Sequence, residues 1–298
     1  MSEEIQLIGV DVGGTQIKAA AFSETGVMLG NWTRETNDRP TQNIPGFAET
    51  VRGLLAEIAA PRARIGIAAP GLVAKNGRNI AFQPGKMHGI ENFDWTDFFN
   101  HGHVPVLNDA HAALLGEAWQ GAARNCLNAV LLTLGTGVGG AVLSDGKLLK
   151  GAIGRAGHLG HVSLTDDEER SIFGMVGSLE AAIGNYNVGR RTEGKFASSL
   201  ELARAYALGD SVATKLWLQS VRTLSRAIAS FINILDPEMV IIGGGIAKSG
   251  RLLFEPLEKF LGDLEWRPGG QRVRIVPAEL GQWAGAYGAA WNALNVDR

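Results

Sequence analysis

One pattern occurs twice in this chain, and it restricts the fold more than any other feature. "IGVDVGGTQIKAAAFSETG", from Ile8, and "VLLTLGTGVGGAVLSDG", from Val130, each read as apolar strand, glycine turn, apolar strand and a second turn opening on serine. Set one over the other, and Asp11 falls near Thr133 and Ser23 near Ser144. Two unrelated glycine-rich hairpins would give the same pattern. Read instead as a weak internal repeat, it calls for two β-rich lobes with a cleft between them, and 298 residues suffice for either one large α/β domain or two lobes.

The segments between fit that plan. "VMLGNWTRET", from Val27, reads as a third strand. "GFAETVRGLLAEIAA", from Gly46, carries apolar residues at helical spacing and stops at Pro61. "ARIGIAAPG" is a short buried strand running into the Pro70-Gly71 turn, and "VPVLND" is a strand feeding the alanine-rich helix "AHAALLGEAWQGAA". The second half is more helical, with "SLELARAYALGD" and the long amphipathic "SVATKLWLQSVRTLSRAIASFINIL". Then come the strand "DPEMVIIGGGIA", the strand "VRIVPA" and the small-residue helix "AGAYGAAWNAL", which suits close packing on the first lobe. The expected division is a small lobe over 1–108, completed by a helix over 284–298, and a large lobe over 109–283.

The formal net charge is −2 with no basic block, so nucleic acid is not an expected partner. No run approaches the roughly 18 consecutive apolar residues of a membrane span, so no membrane association is expected. The chain enters a strand almost at once, without a secretory signal pattern, which points to the cytoplasm. A single cysteine, Cys126, rules out an intramolecular disulfide and a cysteine-rich zinc site. Glycine is the one unusual count, at 40, and the glycines cluster beside apolar runs, where backbone can pass close to a ligand.

Each cluster has a bland reading and a chemical one. "DVGGT", Asp11 to Thr15, is either a tight hairpin turn or a phosphate cradle of backbone amides, with Asp11 holding Mg²⁺ through water. "GTGVGG", Gly135 to Gly140, repeats that chemistry; two such turns at matching places imply a polyphosphate, although neither is a Walker A loop. "VIIGGGIAKSG", from Val240, is a nucleotide-contact turn or plain helix–strand packing. In "VLNDAHAALLGE", Asp109 is either the helix N-cap or a general base. "GRAGHLGH" puts His158 and His161 three residues apart. With Asp166 or Asp167 they form a thin metal hypothesis, because Gly154, Gly157 and Gly160 disfavour the helix that would bring both rings to one face.

In order along the chain, "DVGGT", "GIAAPG", "LNDAHAALLGE", "TLGTGVGG", "GRAGHLGH", "GSLEA", "DPEMVIIGGGIA" and "AGAYGAA" resemble the motifs of the ROK family of bacterial sugar kinases and sugar-responsive repressors, within the hexokinase–actin superfamily. The resemblance spans Asp11 to Ala290. It implies a two-lobed actin-like ATPase fold of the ribonuclease H-like type, α/β with duplicated β-rich lobes. It also implies ATP and Mg²⁺, phosphoryl transfer to a sugar hydroxyl, usually on carbon 6, and a homodimer. Carried over by position, Asp109 matches the catalytic base and Asn108 its sugar-binding neighbour. Gly71, His158, His161 and Glu180 match sugar contacts. Gly13, Gly14, Thr15 and Gln16 match the first phosphate loop, Gly135, Thr136 and Gly137 the second, and Gly243 and Gly244 the adenosine side.

The departures fall mainly on the sugar side. His158 stands at a family glutamate, Gly85 at an asparagine, His111 at an asparagine and Gln16 at a lysine. The family's zinc site pairs a histidine, here His161, with three cysteines. This chain has "RSIFGMVGSLE" there, with Ser178 at the last cysteine, so no structural zinc is expected. The apolar segment Ile172 to Val176 is expected to replace that staple by packing. The reading is an ATP-dependent kinase of a hexose or hexose derivative with Asp109 as base, and an acceptor other than plain glucose. The competing reading is a sugar-sensing regulator with weak or no kinase activity.

Overall fold

The computed structural model describes residues 4–37, 44–85, 87–100, 102–165, 170–171 and 173–296. They fall into two compact units. The first comprises Met1–Asn125, Leu148–Ala156 and Glu279–Arg298; the second comprises Cys126–Lys147 and Gly157–Ala278.

In the first unit, strands β1 (Leu7–Val12), β2 (Gln16–Phe22) and β3 (Met28–Glu35) form an antiparallel meander. It is followed by helix α1 (Gly46–Ile58), strand β4 (Arg64–Ala69), the small hairpin β5 (Leu72–Val73) and β6 (Ile80–Phe82), helix α2 (Trp95–Phe99), strand β7 (Val106–Asn108) and helix α3 (Asp109–Gln120). The sheet order is β3-β2-β1-β4-β7, with β4 parallel to both β1 and β7. The central strands are apolar through nearly their whole length because both faces are covered. On one face lies the core of Phe47, Val51, Leu54, Ile67 and Trp95.

On the other lies the helix Ala284–Asn295, which touches backbone through four glycines, two against the sheet and two against α3. A Cβ at Gly9 would sit 1.8 Å from the Ala286 carbonyl oxygen, one at Gly66 1.9 Å from that of Ala289, and one at Gly288 1.7 Å from that of Ala112. At Gly116 it would lie 2.4 Å from the Ala284 oxygen. This packing draws α3 into the first unit, so the unit runs to Asn125 and not to the expected boundary at 108.

The second unit repeats the layout. Strands β8 (Ala129–Leu134), β9 (Val138–Ser144), β10 (Lys147–Leu148), β11 (Met239–Gly243) and β12 (Arg274–Pro277) make a sheet of order β10-β9-β8-β11-β12, with β8–β9 antiparallel and β8–β11–β12 parallel. Asp11 and Thr133 are each the fifth residue of a six-residue strand that opens its sheet's hairpin. The helices are α4 (Leu179–Ile183), α5 (Val188–Arg191), α6 (Ser199–Ala207), α7 (Ser211–Leu235) and α8 (Arg251–Leu264). Asp210 caps α7 by accepting from the Ala213 amide. Trp217 is buried beneath α8 and donates its indole N–H to the Leu252 carbonyl. Among the described residues, no helix is long and apolar enough to cross a membrane.

Candidate active site

The end of β7 removes one of the two readings of Asp109, that of helix cap. Asn108, not Asp109, is the N-cap of α3: its Oδ1 accepts from the amides of Ala110 at 3.0 Å and His111 at 3.3 Å. Its Nδ2 donates to the Gly71 carbonyl at 3.0 Å, which ties the Pro70-Gly71 turn to the helix start. Asn108 is thus buried and its amide is largely engaged within the protein. Asp109 follows as the first helical residue, with an exposed side chain that accepts from the adjacent Ala110 amide. Gly71 has φ +108°, and a Cβ there would lie 2.6 Å from the Phe82 carbonyl oxygen, so only glycine fits the turn. His111 is buried, and its Nε2 is 3.1 Å from the Ala156 carbonyl. Gly85 is exposed at φ +108° with open space around it.

Asp11, at the end of β1, lies close enough to Asp109 for the two charges to interact. Although part of Asp11 stays accessible, protein atoms surround its carboxyl. Burial first, and the Asp109 charge second, raise its pKa from 3.8 to about 7, against the opposing pull of Lys18. A Cβ at Gly285 would fall 2.8 Å from the Asp11 carboxyl, so the first turn of the helix Ala284–Asn295 also needs glycine to make room for this group. Two interacting carboxyl groups are an arrangement a divalent cation would complete.

The two glycine turns share a device that the sequence does not announce. In the first, Thr36 donates its hydroxyl to the Gly13 carbonyl at 2.6 Å and its amide to the Thr15 carbonyl at 2.9 Å. In the second, the Asn185 and Tyr186 amides bond to the carbonyls of Gly135 at 3.0 Å and Thr136 at 2.9 Å. A trans peptide points its C=O and its N–H in opposite directions. Tying down those carbonyls therefore aims the N–H groups of Gly14 and Gln16, and of Thr136 and Gly137, away from the braces. Gly14, Thr15, Gln16 and Thr136 are exposed. Each turn thus presents the run of backbone donors that binds anions.

Glu180 is buried under the second turn. Its Oε2 accepts from the Val138 amide at 3.2 Å, and a Cβ at Gly137 would lie 2.2 Å from that oxygen. Arg191 holds the segment that carries the Asn185 and Tyr186 amides, donating to Ala182 O at 2.8 Å, Ser220 Oγ at 2.7 Å and Asn187 Oδ1 at 3.0 Å. Neither Thr36 nor Arg191 belongs to a motif. After β11, Gly244 adopts φ +87°, and a Cβ would sit 2.3 Å from the Leu134 carbonyl, so the Gly243-Gly244 turn lies against the end of β8.

The glycines of "GRAGHLGH" do not keep the two histidines apart. A single 3₁₀ turn, Leu159–His161, follows His158, and the rings lie nearly parallel, 17° apart, with centroids separated by 6.2 Å. Gly160 permits this because its backbone packs on β9; a Cβ there would be 1.9 Å from the Val138 carbonyl oxygen. Burial, and then the neighbouring His158, push the His161 pKa below 6.5, so its ring is neutral at pH 7. Its Nδ1 is buried and finds no hydrogen-bond partner among the described residues. Phe173 packs edge-on against the His161 ring at 5.1 Å.

The expected apolar staple is only partly realised. Ile172 lies outside the described residues, and Phe173 and Val176 remain 46% and 43% exposed. Hydrogen bonds close the loop instead. Ser163 Oγ donates to Val176 O, the Leu164 amide donates to Gly177 O and the Leu179 amide to Val162 O, while Ser178 caps α4. Among the described residues, no three His, Cys, Asp or Glu side chains group to hold a metal, and Asp166 and Asp167 lie outside them.

Comparison with known proteins is consistent with this geometry. The ROK family model matches residues 7–296. The chain belongs to the ROK family. It is 35% identical to the glucokinase of Thermotoga maritima, covering 96% of each chain, and 29% identical to the N-acetylmannosamine kinase of Escherichia fergusonii, covering 95% of this chain and 96% of that one. A solved ROK glucokinase from Streptomyces griseus, in complex with glucose and AMPPNP, superposes with a TM-score of 0.77 at 27% identity, over 95% of this chain and 97% of that one. The fold shared with these ROK sugar kinases is that of the actin-like ATPases.

Proposed function

We propose that this ROK protein is an ATP-dependent sugar kinase that transfers the γ-phosphoryl group to a hydroxyl, on carbon 6, of a hexose or hexose derivative. The observation that carries the reading is the division of labour at 108–109. Asn108 caps the helix, so the fold does not use Asp109 as its cap, and an exposed carboxylate stands at the first turn of α3. Asp109 accepts the proton of the attacking hydroxyl as the new O–P bond forms and the bond to ADP breaks. Positioned proton transfer of this kind contributes about 10²–10⁴-fold.

The remaining residues orient and neutralise. The braced turns at Gly13–Gln16 and Gly135–Gly137 offer amides to the phosphates, with Gly243 and Gly244 on the adenosine side. Asp11 is the residue that would hold Mg²⁺ through water, and the ion would spread the phosphate charge. Gly71, held by Asn108, and the ring atoms of His158 and His161 meet the sugar. Glu180 acts on both sides, bracing the second turn and bordering the sugar residues of its own unit. A histidine at 158 can donate a hydrogen bond, whereas a glutamate carboxylate only accepts, which favours an acceptor bearing a carbonyl or carboxylate group. Of the relatives above, the one named for N-acetylmannosamine acts on a sugar with such a carbonyl, and the one named for glucose on a sugar whose ring form has none. A cytoplasmic homodimer is the matching expectation.

A panel of glucose, mannose, their N-acetylamino forms and the corresponding aldonic acids, which keep the 6-hydroxyl, assayed for ADP release with ATP and Mg²⁺, tests the reading. Turnover of at least one sugar, with phosphorus on carbon 6 by NMR, is expected. Tight sugar binding without any turnover would replace the kinase with the sensor.

A further inference from the structure

Between the helices of the second unit lies a groove of about 590 Å³, and none of the residues assigned to phosphate or sugar lines it. Its floor is apolar: Leu218 on α7, Pro256 and Phe260 on α8 and the ring of Tyr206 on α6, all half-buried. Its rim is cationic. Lys215 and Arg222 come from α7 and Lys259 from α8, each of them exposed. Glu255 is the one acid in the lining, so three cations face one carboxylate and the net charge there is +2.

The walls of this groove are fixed by the core. Pro256 lies inside α8 and has no N–H, so the Leu252 carbonyl, four residues earlier, loses its helical partner. The Trp217 indole N–H takes that carbonyl at 2.8 Å. Trp217 on α7 and Leu253, Leu257 and Leu261 on α8 are buried in one cluster, which clamps the two helices together.

The cations, by contrast, are uncommitted. In its 25 residues α7 carries Lys215, Arg222 and Arg226 and no acid. Glu255 and Lys259 stand at i, i+4, a spacing that pairs charges on a helix. Yet among the described residues none of Lys215, Arg222, Lys259 and Glu255 forms an ion pair or a side-chain hydrogen bond. Arg222 lies instead over the Phe260 ring, 4.7 Å from its centroid, and this contact holds its guanidinium at the groove.

One exposed cation contributes little alone. Three that converge on an apolar cleft make a site for an anion with an organic body. The volume is that of a small-molecule pocket. A phosphomonoester carries about −1.5 to −2 at pH 7, which matches the net charge of the lining, whereas a single carboxylate leaves a cation over. We propose that the groove between α6, α7 and α8 binds a phosphomonoester with an apolar or aromatic body, its phosphate held by Lys215, Arg222 and Lys259. The proposal does not depend on the kinase reading, because no residue of that reading takes part.

The probe is phenyl phosphate, which has neither a sugar nor an adenine for the kinase residues to read. Calorimetry in low-salt buffer compares wild type, the double variant Lys215→Gln with Arg222→Gln, and Glu255→Gln. All three positions are exposed, so each variant is expected to melt with wild type. Wild type is expected to bind with a Kd of about 1 mM or tighter, and inorganic phosphate about fivefold more weakly or worse, because it leaves the apolar floor uncovered. The double variant should lose about tenfold or more. Glu255→Gln should tighten binding about twofold or more, because it removes the one like charge. Added KCl should weaken binding throughout. No saturable binding, inorganic phosphate binding as tightly as the ester, an unchanged double variant or a Glu255→Gln variant that fails to tighten each overturns the proposal. A double variant that changes the oligomeric state by sedimentation and leaves phenyl phosphate binding unmoved assigns the groove to a second copy of the chain, and overturns it too.

Discussion

Asp11→Asn should make the protein more stable and inactive at once, by an amount that depends on pH. The Asp11 pKa is raised from 3.8 to about 7 in the folded protein by burial and by Asp109. A folded state that holds its proton more tightly than the unfolded state loses stability as pH rises through this window. The cost is small below pH 4, grows up to about 7 and is then constant. Between pH 5 and pH 8 it grows by roughly 2–3 kcal/mol, taking about 1.36 kcal/mol per pKa unit. Asparagine cannot ionise and escapes that cost. The assay is urea unfolding without divalent metal at both pH values. The gain of Asp11→Asn over wild type should be greater at pH 8 than at pH 5 by that amount. MgCl₂ should raise wild-type stability at pH 8 and leave the variant unmoved. Kinase activity should be lost in the variant, because the residue assigned to the metal is gone. A gain that is equal at both pH values would refute the electrostatic reasoning, and equal Mg²⁺ responses would remove Asp11 from the metal site.

Two further substitutions probe packing and specificity. Gly288→Ala would place a Cβ 1.7 Å from the Ala112 carbonyl oxygen. Backbone must shift to relieve that contact, so a loss of about 3 kcal/mol or more is expected by denaturant unfolding, at or beyond the usual range for overpacking. His158→Glu replaces a group that can donate with one that only accepts. The ratio of kcat/KM for glucose over the best wild-type substrate should rise about tenfold or more, in line with the weight of one polar contact to a substrate; an unchanged profile would take His158 out of the sugar site.

Much of this fold was legible in the sequence because the signal is periodic. Both hairpins showed as paired apolar runs about a glycine turn, and Asp11 and Thr133 do fall at equivalent strand positions. The helix Ala284–Asn295 was legible as a face of small residues. What escaped depends on single-residue registers and on partners distant in sequence. Asn and Asp cap helices about equally well, so "ND" could not say which residue caps α3 and which stays exposed. Counting glycines against a helix at "GRAGHLGH" missed that one 3₁₀ turn, needing three residues, aligns the rings. Glu117, buried with its carboxylate bonded to the Glu279 and Leu280 amides, showed only as an acid in a helix, since those donors lie more than 160 residues away. The braces from Thr36 and Arg191 carry no sequence signal at all.

The central claim is that Asp109, relieved of capping by Asn108, moves the proton in phosphoryl transfer. Its most direct test is kcat for Asp109→Asn on the best sugar, beside the sugar Kd by calorimetry. The account predicts a fall in kcat of about 10²–10⁴-fold, with a sugar Kd within a few-fold of wild type and a fold that still melts in one cooperative step. A variant that keeps kcat within a few-fold of wild type would contradict it.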